Sequence, residues 1–495
     1  MGEYGKKTFV SNILIMTSTM IIIRIIGMIF NIYFTSAIGS DSTGMFHLIF
    51  SVYGFLVTLS VAGTGLAVTR LVSESGTSSG NACRNIVRKG LTISVCASTA
   101  VTIAVWLFND IIGKMISGNA QSTRAIMILA LSLPSVAVSS VLKGYFTAVR
   151  KTAFITVSQL SEEISSVIIT LYILSKIHNS PYGYMALIGG ITLSSAIGAL
   201  ADILMYRAHV ATLYGGSAIP PGYGSIFAIS IPTALGAYLR SALISAENLL
   251  IPGALEASGI ARPLSEYGII KGMSIPLMLF PTVFVTSLSN MLVPELADRR
   301  AGNKPNGIRY IASRSIGMTL YFSFATAGVF LICHDFFAEV FYRNAKVGYY
   351  LGLLSLLVIP MYLDTVVDSM LKGLNQQVSS LRYNIIDSCL RICFIIIIIP
   401  RRGVMSYIFL LYASEIFNLC LSIRRLLKVT GLRLRASVFT KPLAALACAF
   451  VVSAPLNDRT VLRAVAFVVI YTAISFVAEK SYYGGKNSFN KQPHT

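Results

Sequence analysis

The chain has 495 residues, of which 55% are hydrophobic and only 12% charged, and its mean hydropathy is +0.72. A soluble domain carries roughly 25% charged residues, so this chain lacks the charge to cover a surface in water, and a soluble fold is excluded. The net charge of +20 is spread over short loops rather than gathered in one basic patch, which argues against a nucleic-acid partner.

A bilayer core requires ~20 mainly apolar residues per helix, and such segments recur along the chain. The first, 9–34, carries Arg24 at its middle, with Thr17, Met20, Gly27 and Asn31 on or near the same face. The second, 44–72, contains Gly63 and Gly65, which would let another helix approach closely. The third is 86–108. The fourth, 124–149, bears Pro134 and closes on Ser140-Val141-Leu142-Lys143-Gly144. The fifth, 153–175, holds Ser161-Glu162-Glu163, whose adjacent acids point to different sides of a helix. The sixth is 184–206. The seventh, 225–251, contains Pro232, Arg240 and Glu247. The eighth, 264–293, has Lys271 with Pro276 and Pro281 and should be irregular. The ninth is 310–333. The tenth, 347–374, carries Pro360, Asp364 and Asp368 and ends on Ser369-Met370-Leu371-Lys372-Gly373. The eleventh, 381–399, includes Arg391, and the twelfth, 404–427, includes Glu415. Two more follow at 437–456 and 460–478.

Leu-Lys-Gly thus recurs at an offset of 229 residues, at the end of the fourth and of the tenth span. The same offset carries Glu162 onto Arg391, and Arg24 matches Arg240 more loosely. Parallel repeats about an axis along the membrane normal are implied. The expected architecture is an all-α integral membrane protein of about fourteen transmembrane helices. It divides into an N-terminal lobe (1–207, spans one to six), a C-terminal lobe (208–428, spans seven to twelve), two additional helices (429–479) and a disordered tail (480–495). With the N-terminus inside, Lys and Arg number 22 in inner loops against 10 in outer ones. That bias gives cytoplasmic N- and C-termini in the cell membrane; Arg401 and Arg402 fall on the unfavoured side. No signal peptide is read. The seven cysteines lie mostly within spans and read as small apolar residues; Cys389 and Cys393 share a face but have no further ligands nearby for a metal.

Ionisable residues inside a span usually face a bundle interior or an aqueous cavity. Three groups stand out. Arg24, Arg240 and Lys271 are cationic and would suit a phosphate or diphosphate, with local pairing such as Arg240 to Glu247 as the competing account. Asp364 and Asp368 share a face and could hold a proton or cation, or be taken up by Lys372 and hydrogen bonds. Glu162, matched to Arg391, is a candidate for a gating contact between halves. Glu247 joins this group as a candidate for gating or ion coupling. No Walker loop, zincin helix or Gly-x-Ser-x-Gly is present, and no enzymatic activity, metal or cofactor is expected.

Three segments carry a family resemblance: Ser60 to Glu74 around Gly63-Thr64-Gly65, Tyr267 to Ala297 around Lys271-Gly272 and Pro276, and Leu371-Lys372-Gly373-Leu374-Asn375-Gln376-Gln377 with Tyr383-Asn384-Ile385-Ile386-Asp387. The chain resembles the polysaccharide-transporter, stage V sporulation protein B-like branch of the multidrug/oligosaccharidyl-lipid/polysaccharide (MOP) exporter superfamily, which is related to lipid II flippases. The resemblance implies two six-helix lobes about a cavity that opens alternately to each side. It implies movement of an undecaprenyl-diphosphate-linked sugar from inner to outer leaflet, with Arg24 at the position of a cavity arginine. The partners expected are a lipid-linked sugar and membrane lipids, with coupling to H+, Na+ or membrane potential, in a monomer. Gly63-Thr64-Gly65 departs from the usual Gly-Ile-Pro, and Glu247 stands where relatives often have Asp. The rival readings are a cation-coupled multidrug exporter of the same fold, a membrane glycan polymerase or ligase, and a scaffold for envelope assembly.

Overall fold

The computed structural model describes residues 3–61, 63–75, 80–116, 120–176, 183–211, 222–434, 436–456 and 459–484, with side chains from Ile21 to Phe476. No strand occurs among them. Every apolar segment read from the sequence falls on a helix. The first two lie on one run, Glu3–Val61, which turns at Gly39 (φ 78°, ψ 170°), where no ordinary side chain would rest easily. The second continues as Thr64–Glu74 after Gly63 in the left-handed conformation. Then come Gly80–Leu107, the fourth span as Ala120–Ala130 and Leu133–Ala148, Thr152–Lys176, Tyr184–Ala211 and Tyr223–Ala257. The eighth span is broken. The ninth is Pro305–Tyr342, the tenth Ala345–Leu354 joined by a short turn to Val358–Gly373, and the eleventh Gln377–Ile397. Val404–Thr430, Ser437–Ser453 and Thr460–Gly484 complete the order.

Ten of these helices are long and apolar enough to cross a membrane, or eleven when the bent eighth span is included. This count and the fourteen apolar segments differ at three places. The first two segments meet at the Gly39 turn within one continuous run and count once. Gln377–Ile397 carries Arg382, Asp387 and Arg391, and of the last helix, Thr460–Gly484, only Thr460–Phe476 is described with its side chains. That helix extends to Gly484, so residues 480–484 of the expected tail are helical, and 485–495 lie outside the described residues. Thr17 and Met20, read as neighbours of Arg24, have side chains outside the described set.

The irregularity expected of the eighth span is present. Pro263–Gly268 passes into a π-helical turn, Ile269–Ser274, then Ile275–Leu279, and a 61° bend precedes Thr282–Ala301. Proline removes backbone donors there, and in lipid the released carbonyls need partners from the protein. Tyr342 donates to the Met273 carbonyl at 3.3 Å and Tyr362 to the Met278 carbonyl at 2.6 Å.

The helices cluster as two compact units, Met1–Gly268 and Ile269–Thr495. In the first, Val68, Val72, Ile86, Val87, Val141, Leu142, Tyr145 and Phe146 are fully buried, packing the second, third and fourth spans together. The seventh span also belongs to this unit and is laced to the second by polar groups. Ser245 donates to the Ser51 carbonyl at 2.6 Å, Asn248 to the Ser51 hydroxyl at 3.1 Å, and Tyr238 to the Leu59 carbonyl at 3.4 Å. In the second unit Tyr362, Leu363, Val366, Val367, Met370 and Leu371 bury the tenth span. The last helix docks on the ninth, with Phe467 closed against Gly328 and Tyr471 donating to the Tyr321 carbonyl at 3.0 Å.

Some of the excess arginine caps helix ends. Arg84 donates to the Val210 carbonyl at 3.0 Å, Arg309 to the Thr430 carbonyl at 3.0 Å, and Arg300 to the Leu374 carbonyl. A cation at a helix C-terminus meets orphan carbonyls and the negative end of the dipole.

Candidate functional site

The repeated tripeptide shows how the sequence positions charge. Leu142 and Leu371 are both fully buried. Gly144 is pressed on the backbone of Gly65, whose Cα lies 3.2 Å from where a Cβ would stand, and Gly373 has the Val293 carbonyl oxygen at 2.8 Å from the same point. Each glycine therefore lets two backbones touch. The close packing expected of Gly65 is present, with Ser140 as its neighbour. Between the fixed leucine and glycine, each lysine is delivered to a carboxylate.

In the first unit Lys143 Nζ lies 3.3 Å from Glu162 Oε2 and 4.0 Å from Asp202 Oδ2. The group draws on the fourth, fifth and sixth spans. Gly198, one turn before Asp202, has no side chain and so leaves room for Glu162; a Cβ there would stand 3.0 Å from Glu162 Oε2. Glu163 points elsewhere, its Oε1 only 3.1 Å from a Cβ built on Gly27 of the first span. The two adjacent acids serve different partners, as the helical angle between them requires. Lys143 and Asp202 were not among the site residues read from the sequence. Both stand near the ends of their spans, where a charge is ordinarily solvated; a lone Asp in an otherwise apolar sixth span was the available signal.

In the second unit the tenth, eleventh and twelfth spans hold a larger group. Lys372 Nζ pairs with Asp368 Oδ2 at 2.7 Å on its own helix, and Ser380 donates to Asp368 Oδ1. Asn418 donates to Asp364 Oδ2 at 3.1 Å. Asp368 is thus held in an ion pair and Asp364 in a hydrogen bond. Arg391 Nε lies 3.5 Å from Asp387 Oδ2, one turn back, and Ser414 donates to both Asp387 oxygens at 2.7 and 2.8 Å. Glu415, Asp368 and Asp387 all act electrostatically on Asp364. Glu162 and Arg391 therefore each have a charged neighbour within their own unit.

The remaining cationic candidates differ in setting. Arg24 and Arg240 are exposed on helices of the first unit, whereas Glu247 is 2% exposed, so the seventh span sends its base to the surface and its acid inward. Lys271 is half-buried in the π-helical turn of the eighth span. His334 and Asp335, adjacent on the ninth span, are 3.0 Å apart.

A family model described as "Polysaccharide biosynthesis protein" matches residues 9–298. The chain belongs to the polysaccharide biosynthesis protein family. Among relatives of this family member, stage V sporulation protein B of Bacillus subtilis (strain 168) is 20% identical over 469 residues, 91% of this chain and 90% of the relative. Among solved structures, the lipid II flippase MurJ in an inward closed conformation superposes with a TM-score of 0.73 at 12% identity, covering 95% of this chain and 99% of that one. An inward-facing multidrug resistance MATE family transporter of the MOP superfamily superposes with a TM-score of 0.67 at 11% identity, over 83% and 97% of the two chains. The fold of this family member is therefore that of the MOP-superfamily transporters, as the sequence segments implied.

Proposed function

We propose that the chain is a flippase that moves an undecaprenyl-diphosphate-linked oligosaccharide or peptidoglycan precursor from the inner to the outer leaflet by alternating access. It would act as a monomer in the cell membrane with both termini cytoplasmic. The lobes read from the sequence repeat would be its moving parts, and an H+ or Na+ gradient or the membrane potential its drive. Family membership supplies the link to polysaccharide synthesis, and a lipid II flippase shares the fold.

The observation that carries the reading is the pair Arg24 and Arg240. Each arginine is an exposed residue well inside a long apolar helix. Hydrocarbon does not solvate such a group, and a cation at that depth on an apolar helix usually faces a bundle interior or an aqueous cavity, where an anion can reach it. A guanidinium binds a diphosphate through paired, charge-assisted hydrogen bonds.

The test is translocation in liposomes, with lipid II compared against other undecaprenyl-diphosphate sugars. Arg24→Ala is expected to abolish movement while the protein still inserts. Arg24→Lys should restore part of it, since the charge stays but the planar fork is lost. Full activity in the Arg24→Ala, Arg240→Ala double variant would sink the diphosphate assignment. Movement of none of these lipids by folded wild-type protein would sink the flippase reading.

A further inference from the structure

The first unit holds a group with two acids for one base, graded by depth. Side-chain exposure falls from 33% at Glu162 to 23% at Lys143 and 0% at Asp202. Neither Asp202 oxygen has a hydrogen bond of ordinary length and angle among the described residues, though the Ser139 and Ser158 hydroxyls act on the carboxylate. Ser139 and Ser158 flank it, and the Ser158 hydroxyl donates to the Gly198 carbonyl at 3.3 Å. At the other end Glu162 forms part of the wall of a cavity of about 320 Å³, with Phe50, Tyr53 and Ile191. The three groups make a path from that cavity to a closed end.

We propose that Lys143, Glu162 and Asp202 form a proton-binding site, loaded from the cavity through Glu162, with Asp202 holding the proton. For its role this rests on the transporter reading, to which it adds the coupling ion. With all three groups ionised the site carries a net charge of −1 where water does not reach its inner end. An uncompensated buried carboxylate is neutralised rather than left charged. A metal ion would also neutralise it, but the Lys143 ammonium already stands between the two carboxylates, where a metal would have to bind. Among the described residues no group of three or more His, Cys, Asp or Glu is placed to hold one.

The charged and titratable groups facing the site come from each neighbouring helix. They are Lys143 on the fourth span, Glu162 and Glu163 on the fifth, Asp202 on the sixth and Tyr53 on the second, whose hydroxyl is 2.6 Å from Ser132 and which feels the Glu162 charge. Glu163 also rests against Gly27 of the first span, one turn from Arg24. The transfer balances without another reactant. Water in the cavity protonates Glu162; Lys143 gives a proton to Asp202 and takes one from Glu162, which restores the ammonium.

The experiment is an infrared difference titration of the purified full-length protein in lipid nanodiscs, reading the C=O band of protonated carboxyl groups. The wild type is expected to show a titrating band that shifts when the protein is labelled with 13C-aspartate. Asp202→Asn should remove it. In Asp202→Glu it should persist and follow 13C-glutamate instead. Lys143→Met, which leaves Asp202 in place, should raise the titration midpoint by about one pH unit or more, because an opposing positive charge is lost. A band that survives Asp202→Asn, or no titrating band in the folded wild type, would overturn the site. A midpoint that moves with sodium concentration at fixed ionic strength would overturn the proton in favour of a metal ion. No substrate is needed, so failure here leaves the flippase reading standing, and failure of lipid movement leaves this titration intact.

Discussion

Leu142-Lys143-Gly144 and Leu371-Lys372-Gly373 have the same packing in the two units and hold different charges. In both, the leucine is buried and the glycine admits another backbone. Lys143 then reaches across to the fifth and sixth spans, toward a fully buried aspartate. Lys372 instead turns back along its own helix to Asp368, in a pair that is half exposed on the lysine side. Where the first unit has Glu162, the offset puts Arg391 in the second. The difference teaches that the repeat preserves the helix crossing, whose geometry tolerates no side chain, while the polar groups beside the crossing have been free to diverge. Function is to be sought in what diverged.

The largest effect should come from the shared part. A Cβ at Gly144 meets the Gly65 backbone, and neither main chain can move aside without unpicking the second and fourth spans. Gly144→Ala should destabilise the first unit by about 3 kcal/mol or more, at the upper end of overpacking costs. Gly373→Ala, with the Val293 oxygen at 2.8 Å, should cost less, about 1–2 kcal/mol. Denaturant unfolding in micelles checks both, and equal losses would remove the distinction. Gly317, with nothing within 4 Å of its Cβ position, should accept alanine without loss.

Next comes the contrast between the lysines. Lys143→Met removes the cation paired with a carboxylate that is 0% exposed and should cost on the order of 3 kcal/mol if that carboxylate stays charged. Lys372→Met breaks a one-turn pair that is 50% exposed at the lysine, and should cost less than ~1 kcal/mol. The gap should narrow at low pH, where a protonated Asp202 no longer needs the ammonium. A gap that stays constant with pH would show that packing of the lysine stem, not charge, set it.

The smallest effect concerns Glu162 and Arg391 together. Since each has a charged neighbour in its own unit, the transport losses of Glu162→Gln and Arg391→Gln are expected to add within about 0.5 kcal/mol in a double-mutant cycle. A larger coupling energy, or partial recovery of transport on swapping the two charges, would restore the gating contact suggested by the repeat.

Much of the architecture was legible in order. The apolar runs fell on helices, because a continuous apolar run of ~20 residues satisfies its own backbone in lipid as a helix, whereas barrel strands are about half as long and alternate in polarity. The prolines at 276 and 281 announced the broken eighth span, and the repeated Leu-Lys-Gly announced two equivalent crossings. The charge pattern was legible only as a list. Arg240 and Glu247 lie on one helix seven residues apart, yet one is exposed and the other buried. Lys143 and Asp202 are 59 positions apart in the chain and 4.0 Å apart in the fold.

Helix existence and order, the repeated Leu-Lys-Gly and the family follow from the sequence alone, since each depends on local hydropathy or on a run of adjacent residues. Which acid meets which base, and how deep each lies, was decided by the tertiary structure. Those pairings depend on rotation about helix axes and on where a glycine lets two backbones meet. One step along a helix turns a side chain by about 100°, so a charge placed by sequence spacing has no partner assigned until its helix is packed.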